Sequence, residues 1–152
     1  MRLTTRTNLA MRTLMYCAVN ATRTVRKSEI AARCNSSENH LAQVVSLMAQ
    51  KGFLDTVRGR GGGIRLARPA ARIAVGDVVR SFEADVPFAE CFDPKCNTCP
   101  ITPHCRLRGA MGGALAAFYG YLDDVSLADL VDGNSGLAGL MAEGADLAAL
   151  PA

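Results

Sequence analysis

The stretch SSENHLAQVVSLMAQKGFLDTVRGRGGGIRLARP, residues 36–69, decides the fold. Leu41, Val44, Val45 and Met48 stand at i, i+3, i+4 and i+7, so a helix here buries one face. Ser36 or Ser37 supplies its N-cap, and Gly52 stands where a C′ glycine ends a helix. Two β-branched runs follow, FLDTV at 53–57 and GIRLA at 63–67, separated by RGRGG, and they read as a hairpin. Just upstream, EIAARC reads as a short helix, with Ser28 as candidate N-cap and Glu29 in its first turn. NSS turns the chain between the two helices. Short helix, tight turn, second helix and glycine-rich hairpin are the order of a winged helix-turn-helix. Its helix pair covers about 28–51 and its wing about 53–67.

The second helix of such a unit enters the DNA major groove N-terminal end first. Its outward positions are Ser36, Ser37, Glu38, Asn39, His40 and Gln43. Gln and Asn can pair with adenine, and Ser reaches several base edges. The bland alternative is a helical hairpin with a polar outer face. The wing tips the balance, because Arg58 and Arg60 flank glycines that let a loop approach a surface closely, and Arg65 and Arg68 add charge. That combination suits phosphates or the narrow minor groove. A nucleotide-phosphate loop is a poor reading of GRGGG, which lacks the G-x-x-x-x-G-K-[ST] pattern and joins two strands. His40 has no second ligand near it in sequence, so a metal role there is disfavoured.

Charge supports a polyanion partner. Residues 1–72 hold 13 Lys and Arg against 3 acids, a net of +10, whereas residues 73–152 hold 4 against 11, a net of −7. The basic half opens with a predicted helix from about Asn8 to Val19, capped by Thr7, with Leu9, Met11, Leu14, Met15 and Ala18 at helical spacing. The apolar run LMYCAV is too brief for a signal sequence, and the longest apolar run, 111–122, falls short of the roughly 20 residues that span a bilayer. The expected location is the cytoplasm, with no membrane partner and reduced thiols. Cys17 and Cys34 read as small buried hydrophobes.

Beyond the wing, VGDVVRSFE reads as a helix from Val75. From Arg106, Leu107, Met111, Leu115, Phe118 and Leu122 form one helical stripe, which Ala110, Ala117 and Tyr121 widen. A helix apolar over so much of its surface needs cover on both sides, which suggests a dimer interface. The chain thus divides into 1–72, the winged helix-turn-helix region; 73–133, the cysteine segment and dimerisation helix; and 134–152, a weakly structured tail. The fold class is mainly α with a small β wing. No nucleophile–base constellation suggests an enzyme.

CFDPKCNTCPITPHCRL, residues 91–107, has the spacing Cys91-x4-Cys96-x2-Cys99-x5-Cys105. Structural zinc usually takes two close pairs, and here Cys96 and Cys99 make the one pair. His104 directly precedes Cys105, so both would struggle to reach one metal. Cys-x4-Cys-x2-Cys also occurs in plant-type ferredoxins. Soft thiolates on a proline-stiffened loop suit iron–sulfur ligation first and zinc second.

MRLTTRTNLAMRTLMY, NHLAQVV, VRGRGGGIRLARP, IAVGDVVRSFE, ITPHCRL and SLADLVD together resemble the NsrR/IscR/RirA family of dimeric winged-helix iron–sulfur regulators over about residues 1–133. Within it the NsrR-like members are most similar. The resemblance implies that Cys91, Cys99 and Cys105 hold the cluster and that Cys96 is an extra thiol. Arg108 stands where IscR-type members carry a histidine ligand. NsrR-type members carry Thr-Asp near the N-terminus, whose aspartate serves the partner subunit's cluster as fourth ligand; this chain has Thr7-Asn8. Asn8 or Cys96 then stands as candidate fourth donor, for a 4Fe-4S cluster by preference or a 2Fe-2S one. The implied function is a homodimeric, nitric-oxide-sensing repressor that binds a double-stranded DNA operator, with an iron- or cluster-supply regulator of RirA type as the rival. A zinc-stabilised interaction module and an electron-transfer protein are the readings outside that class.

Overall fold

Leu14, Ile30, Leu41, Val44 and Met48, each with no exposed surface, come from three helices and meet in one core. The computed structural model describes residues 3–83 and 86–142. Helix α1 (Thr5–Val19) lies against α3 (Glu38–Gln50), and α2 (Lys27–Arg33) packs on α3. Burying each such Leu or Ile is worth roughly 1.5–3 kcal/mol, so this core anchors the basic half. Cys17 and Cys34 belong to the same core as small hydrophobes. Burial, followed by the neighbouring Cys34, pushes the Cys17 thiol up to about 12, so it stays protonated.

The hairpin pairs β1 (Leu54–Val57) with β2 (Gly63–Leu66) antiparallel, Leu54 opposite Leu66 and Val57 opposite Gly63. Leu54 and Ile64 face the core while Arg58 and Arg60 stand exposed at the tip. Gly59 (φ +95°) and Gly61 (φ +77°) turn the tip in a backbone region that disfavours side chains. Val25, just ahead of α2, adds a strand-like bridge: Val25 N donates to Ile64 O at 2.9 Å and Ile64 N to Val25 O at 2.8 Å.

That bridge corrects the start of α2. Because Val25 is held extended, the helix begins at Lys27 with Arg26 as N-cap, and Ser28 lies inside it. The Arg26 amide donates to Glu29 Oε1 at 3.1 Å. Helix α1 also starts earlier than its spacing suggests: Thr4, and not Thr7, is the N-cap, its hydroxyl accepting from Thr7 N at 3.3 Å. Ser37 caps α3 as expected, and Gly52 (φ +73°) follows its end.

Thr7 is fully buried because its hydroxyl is used elsewhere. Glu83, the last residue of α4 (Val75–Glu83), takes a hydrogen bond from Thr7 Oγ1 and two more from Thr4, N at 2.8 Å and Oγ1 at 2.9 Å. Partial burial would raise the Glu83 carboxyl, but the Thr7 and Thr4 bonds outweigh it and hold the group below the usual range. Such a group adds stability above its unfolded value of about 4.3 and loses it as pH falls through its lower folded value. Thr7→Val should therefore cost about 1–2 kcal/mol at pH 7, a gap that narrows below about pH 4. Urea titrations at the two pH values check this; a pH-independent gap would contradict it.

Helix α5 (Arg106–Asp123) buries none of its residues, and Leu107 and Tyr121 are 68% and 73% exposed. It is tied to α4 by a forked ion pair: Arg80 Nη1 to Asp123 Oδ1 at 2.6 Å and Nη2 to Oδ2 at 2.5 Å. Gly76 makes room for this carboxylate, since a Cβ there would overlap Asp123 Oδ1. After α5 the chain returns to the core. Ala74 bridges Ser126, and Leu127 of α6 (Leu127–Val131) is fully buried. At the start of the expected weakly structured tail, Ser135–Met141 form α7, capped by Asn134, and Asn20 Nδ2 donates to Met141 O at 3.0 Å. Met141 packs on the core, a tertiary contact that Ala/Gly-rich composition does not announce. Residues 143–152 of that expectation lie outside the described residues.

Candidate functional site

The helix-turn-helix residues take their positions from the cap and the core. Because Leu41, Val44, Val45 and Met48 face inward, Asn39 and Gln43 point to solvent. His40 is half-buried, and its amide donates to the capping hydroxyl of Ser37 at 3.3 Å. Ser37 is exposed; Ser36 is half-buried and its hydroxyl donates to Ser37 O at 3.4 Å. Ser36 and Ser37 therefore stand at the cap, while Asn39 and Gln43, without side-chain hydrogen bonds among the described residues, offer their amide groups along the helix. Arg58 and Arg60 are exposed on the wing.

Arg26 and Lys27 were not singled out in sequence, yet they border one groove with Arg58, Ser46 and Ala49 between α3 and the wing. The signal available was the cationic pair itself, next to a short helix in a basic half. Val25 explains the placement: its bridge to Ile64 draws the start of α2 onto the hairpin.

The cysteine segment runs through two 3-10 turns, Glu90–Phe92 and Thr102–His104, and is held by hydrogen bonds beside three of its thiols. Glu90 Oε1, next to Cys91, accepts from Thr98 N at 2.6 Å and from Thr98 Oγ1 at 2.7 Å, next to Cys99. Cys105 caps α5, its sulfur accepting from Arg108 N at 3.4 Å. Arg108 Nε in turn donates to Cys91 O at 2.9 Å. The stretches around Cys91, Cys99 and Cys105 are thus tied together. These three thiols are half-buried and free, whereas Cys96 is free and exposed. The thiols themselves are not drawn onto one point: among the described residues, no three His, Cys, Asp or Glu side chains could share a single metal ion. The donor set, three soft sulfur ligands, fits an iron–sulfur group in chemistry.

Asn8 is exposed in the first turn of α1, its Oδ1 accepting from Arg12 Nε at 3.1 Å. Arg12 Nη1 also donates to Cys34 O at 3.0 Å, so Asn8 is linked to the end of α2. Between α4, the cysteine segment and α5 lies a mainly apolar groove of about 610 Å³, lined by Val79, Phe88, Phe92, Met111, Leu115 and Phe118 among others. Among the described residues no helix is long and apolar enough to cross a membrane.

Residues 3–133 match the Rrf2 family, described as an iron-dependent transcriptional regulator. The chain is 41% identical over 144 residues to the HTH-type transcriptional regulator NsrR of Geobacillus kaustophilus, covering 94% of this chain and 98% of that one. It is 43% identical over 131 residues to protein aau3 of Rhizobium meliloti (86% and 85% covered), and 39% identical over 132 residues to NsrR of Bacillus subtilis (86% and 90%). Among solved structures, T. potens IscR is similar in fold at a TM-score of 0.67 and 23% identity (86% and 85% covered). Oxidized Staphylococcus aureus CymR is similar at 0.69 and 22% (87% and 97%). The matched span takes in the basic winged helix and the cysteine segment alike, and the chain belongs to the Rrf2 family of transcriptional regulators, with an NsrR-like sequence, and is not an enzyme.

Proposed function

We propose that this protein is a cytoplasmic homodimeric repressor whose binding to a double-stranded DNA operator is gated by an iron–sulfur cluster that reports nitric oxide. The observation that carries this reading is the hydrogen-bonded segment that holds Cys91, Cys99 and Cys105 half-buried and leaves Cys96 exposed. The similarity to proteins named NsrR points to the same signal. Cys91, Cys99 and Cys105 would hold the cluster, 4Fe-4S by preference, and Asn8 of the second subunit would supply the fourth donor. When bound, the cluster supplies iron that nitric oxide attacks.

The chain's own residues would carry the change to DNA. Arg108 ties the Cys91 backbone to the first turn of α5. The exposed apolar face of α5 is the dimer contact in this reading. Arg80 and Asp123 tie α5 to α4, and Glu83 ties α4 to the start of α1. A loop that loosens its hold on α5 would then alter the spacing of the two copies of α3. Half-sites must lie about one DNA turn, roughly 34 Å, apart, so a small rotation uncouples them. Ser36, Ser37, Asn39, His40 and Gln43 would read bases while Arg58 and Arg60 hold the backbone.

The family's description as iron-dependent favours iron or cluster supply as the second signal. One experiment separates the readings: the visible spectrum and DNA affinity of anaerobically purified protein, before and after nitric oxide. The expected result is a coloured protein that loses its spectrum and its operator affinity together. A colourless, zinc-bearing protein would overturn the proposal.

Asn8 gives a graded test. A neutral amide is a poorer iron donor than a carboxylate, and Arg12 is already within bonding distance of the position. Asn8→Asp should slow loss of the chromophore in air several-fold and shift the spectrum of the loaded protein. Equal decay rates for Asn8, Asp and Ala forms would remove residue 8 from the ligand set.

A further inference from the structure

The outward face of α3 is flanked by cations on both sides, and one of them comes from α1. Arg6, exposed in the first turn of α1, borders a shallow groove with Gln43, Ser46, Leu47 and Gln50. Ser46 and Gln50 also border the groove on the other flank, with Arg26, Lys27 and Arg58. Gln43, Ser46 and Gln50 are all exposed and share one face of the helix. Among the described residues Arg6 has no hydrogen bond or ion pair, and the α3 residues lining its groove are neutral, so its charge is unspent. A helix lying in a major groove about 12 Å wide has a phosphate strand on each side. Arg26, Lys27 and Arg58 border one flank of α3, and Arg6 borders the other.

We propose that Arg6 is a DNA-phosphate contact on the strand opposite the wing, which makes the first turn of α1 a third DNA-binding element. This rests on the reading of α3 as the DNA-binding helix. Arg6 sits between Thr4 and Thr7, whose hydroxyls are bound by Glu83 at the end of α4, and two residues from Asn8. The same turn that Glu83 anchors therefore carries the phosphate contact, so Glu83 is its positioning residue.

The test is fluorescence anisotropy of full-length, anaerobically purified protein on a labelled random 30-base-pair duplex, across a range of KCl concentrations. Arg6→Ala should weaken binding about 3- to 10-fold near 100 mM salt and make the log–log salt slope shallower by about 0.9, the value for one phosphate contact. Arg6→Lys, which keeps the charge, should restore most of both. An Arg58→Ala/Arg60→Ala double variant runs alongside. If it loses affinity while Arg6→Ala matches the unaltered protein in affinity and slope, the Arg6 contact is wrong and the wing reading stands. If the unaltered protein does not bind the duplex at any salt, the DNA-binding reading of α3 falls, and the Arg6 proposal with it. The helical circular dichroism of Arg6→Ala should match the parent, since the side chain is exposed.

Discussion

Replacing Cys91, Cys99 or Cys105 singly by Ala should abolish the visible absorption of anaerobically purified protein, while Cys96→Ala keeps most of it. Ligand identity in the sequence alone was ambiguous, because Cys96 and Cys99 form the closest pair and would be the natural choice for a metal. The frame separates them differently. Glu90 clasps Thr98, Arg108 clasps the Cys91 carbonyl, and Cys105 is locked at the head of α5, and these three thiols are half-buried. Cys96 is exposed, although its neighbours Lys95 and Asn97 are bonded to Asp93. Iron and acid-labile sulfide analysis of each variant checks the result. A colourless Cys96→Ala beside a coloured Cys91→Ala would reverse the assignment. A related variant, Arg108→Ala, keeps all four thiols but unties Cys91 from α5, and should make the chromophore more labile without removing it.

Removing the two charges at the wing tip, Arg58→Ala with Arg60→Ala, should cost DNA affinity about 10- to 100-fold near 100 mM salt and make the salt slope shallower by nearly two. The loss should be the same on operator and random duplex, because phosphates carry no sequence information. Gln43→Ala should behave in the opposite way, narrowing the gap between operator and random DNA with little change in slope. Both side chains are exposed and the substitutions leave Gly59 and Gly61 to shape the turn, so the hairpin should persist. An unchanged slope in the double variant would mean that the wing does not touch DNA.

Much of the fold was legible from local signals. The i, i+3, i+4, i+7 row of Leu41, Val44, Val45 and Met48 specified the buried face of α3, and by difference its outward residues. The glycines of 59–63 specified the tip of the hairpin, since the two with positive φ disfavour any side chain. VGDVVRSFE coincides with α4 residue for residue. These readings succeed because their causes lie within one turn or one hairpin of the residues concerned.

The remaining features depend on contacts between residues far apart in the chain. Thr7 looked like a cap and is instead a buried partner of Glu83, 76 residues away. Ser28 lost its cap role because Val25 is pulled onto Ile64. Residues 135–141, poor in helical signals, are held as α7 by Asn20 and by Met141 on the core. The sequence by itself therefore determined the family of folds, the cationic half and the run of soft thiol donors on which the cluster proposal rests, all of which follow from residue type and near spacing. Tertiary structure decided which residues cap and clasp, how α5 is tied through Arg80 and Asp123, and that Arg6 stands beside α3. The physical reason is that a hydrogen bond or ion pair across the fold leaves no periodic mark in either of the segments it joins.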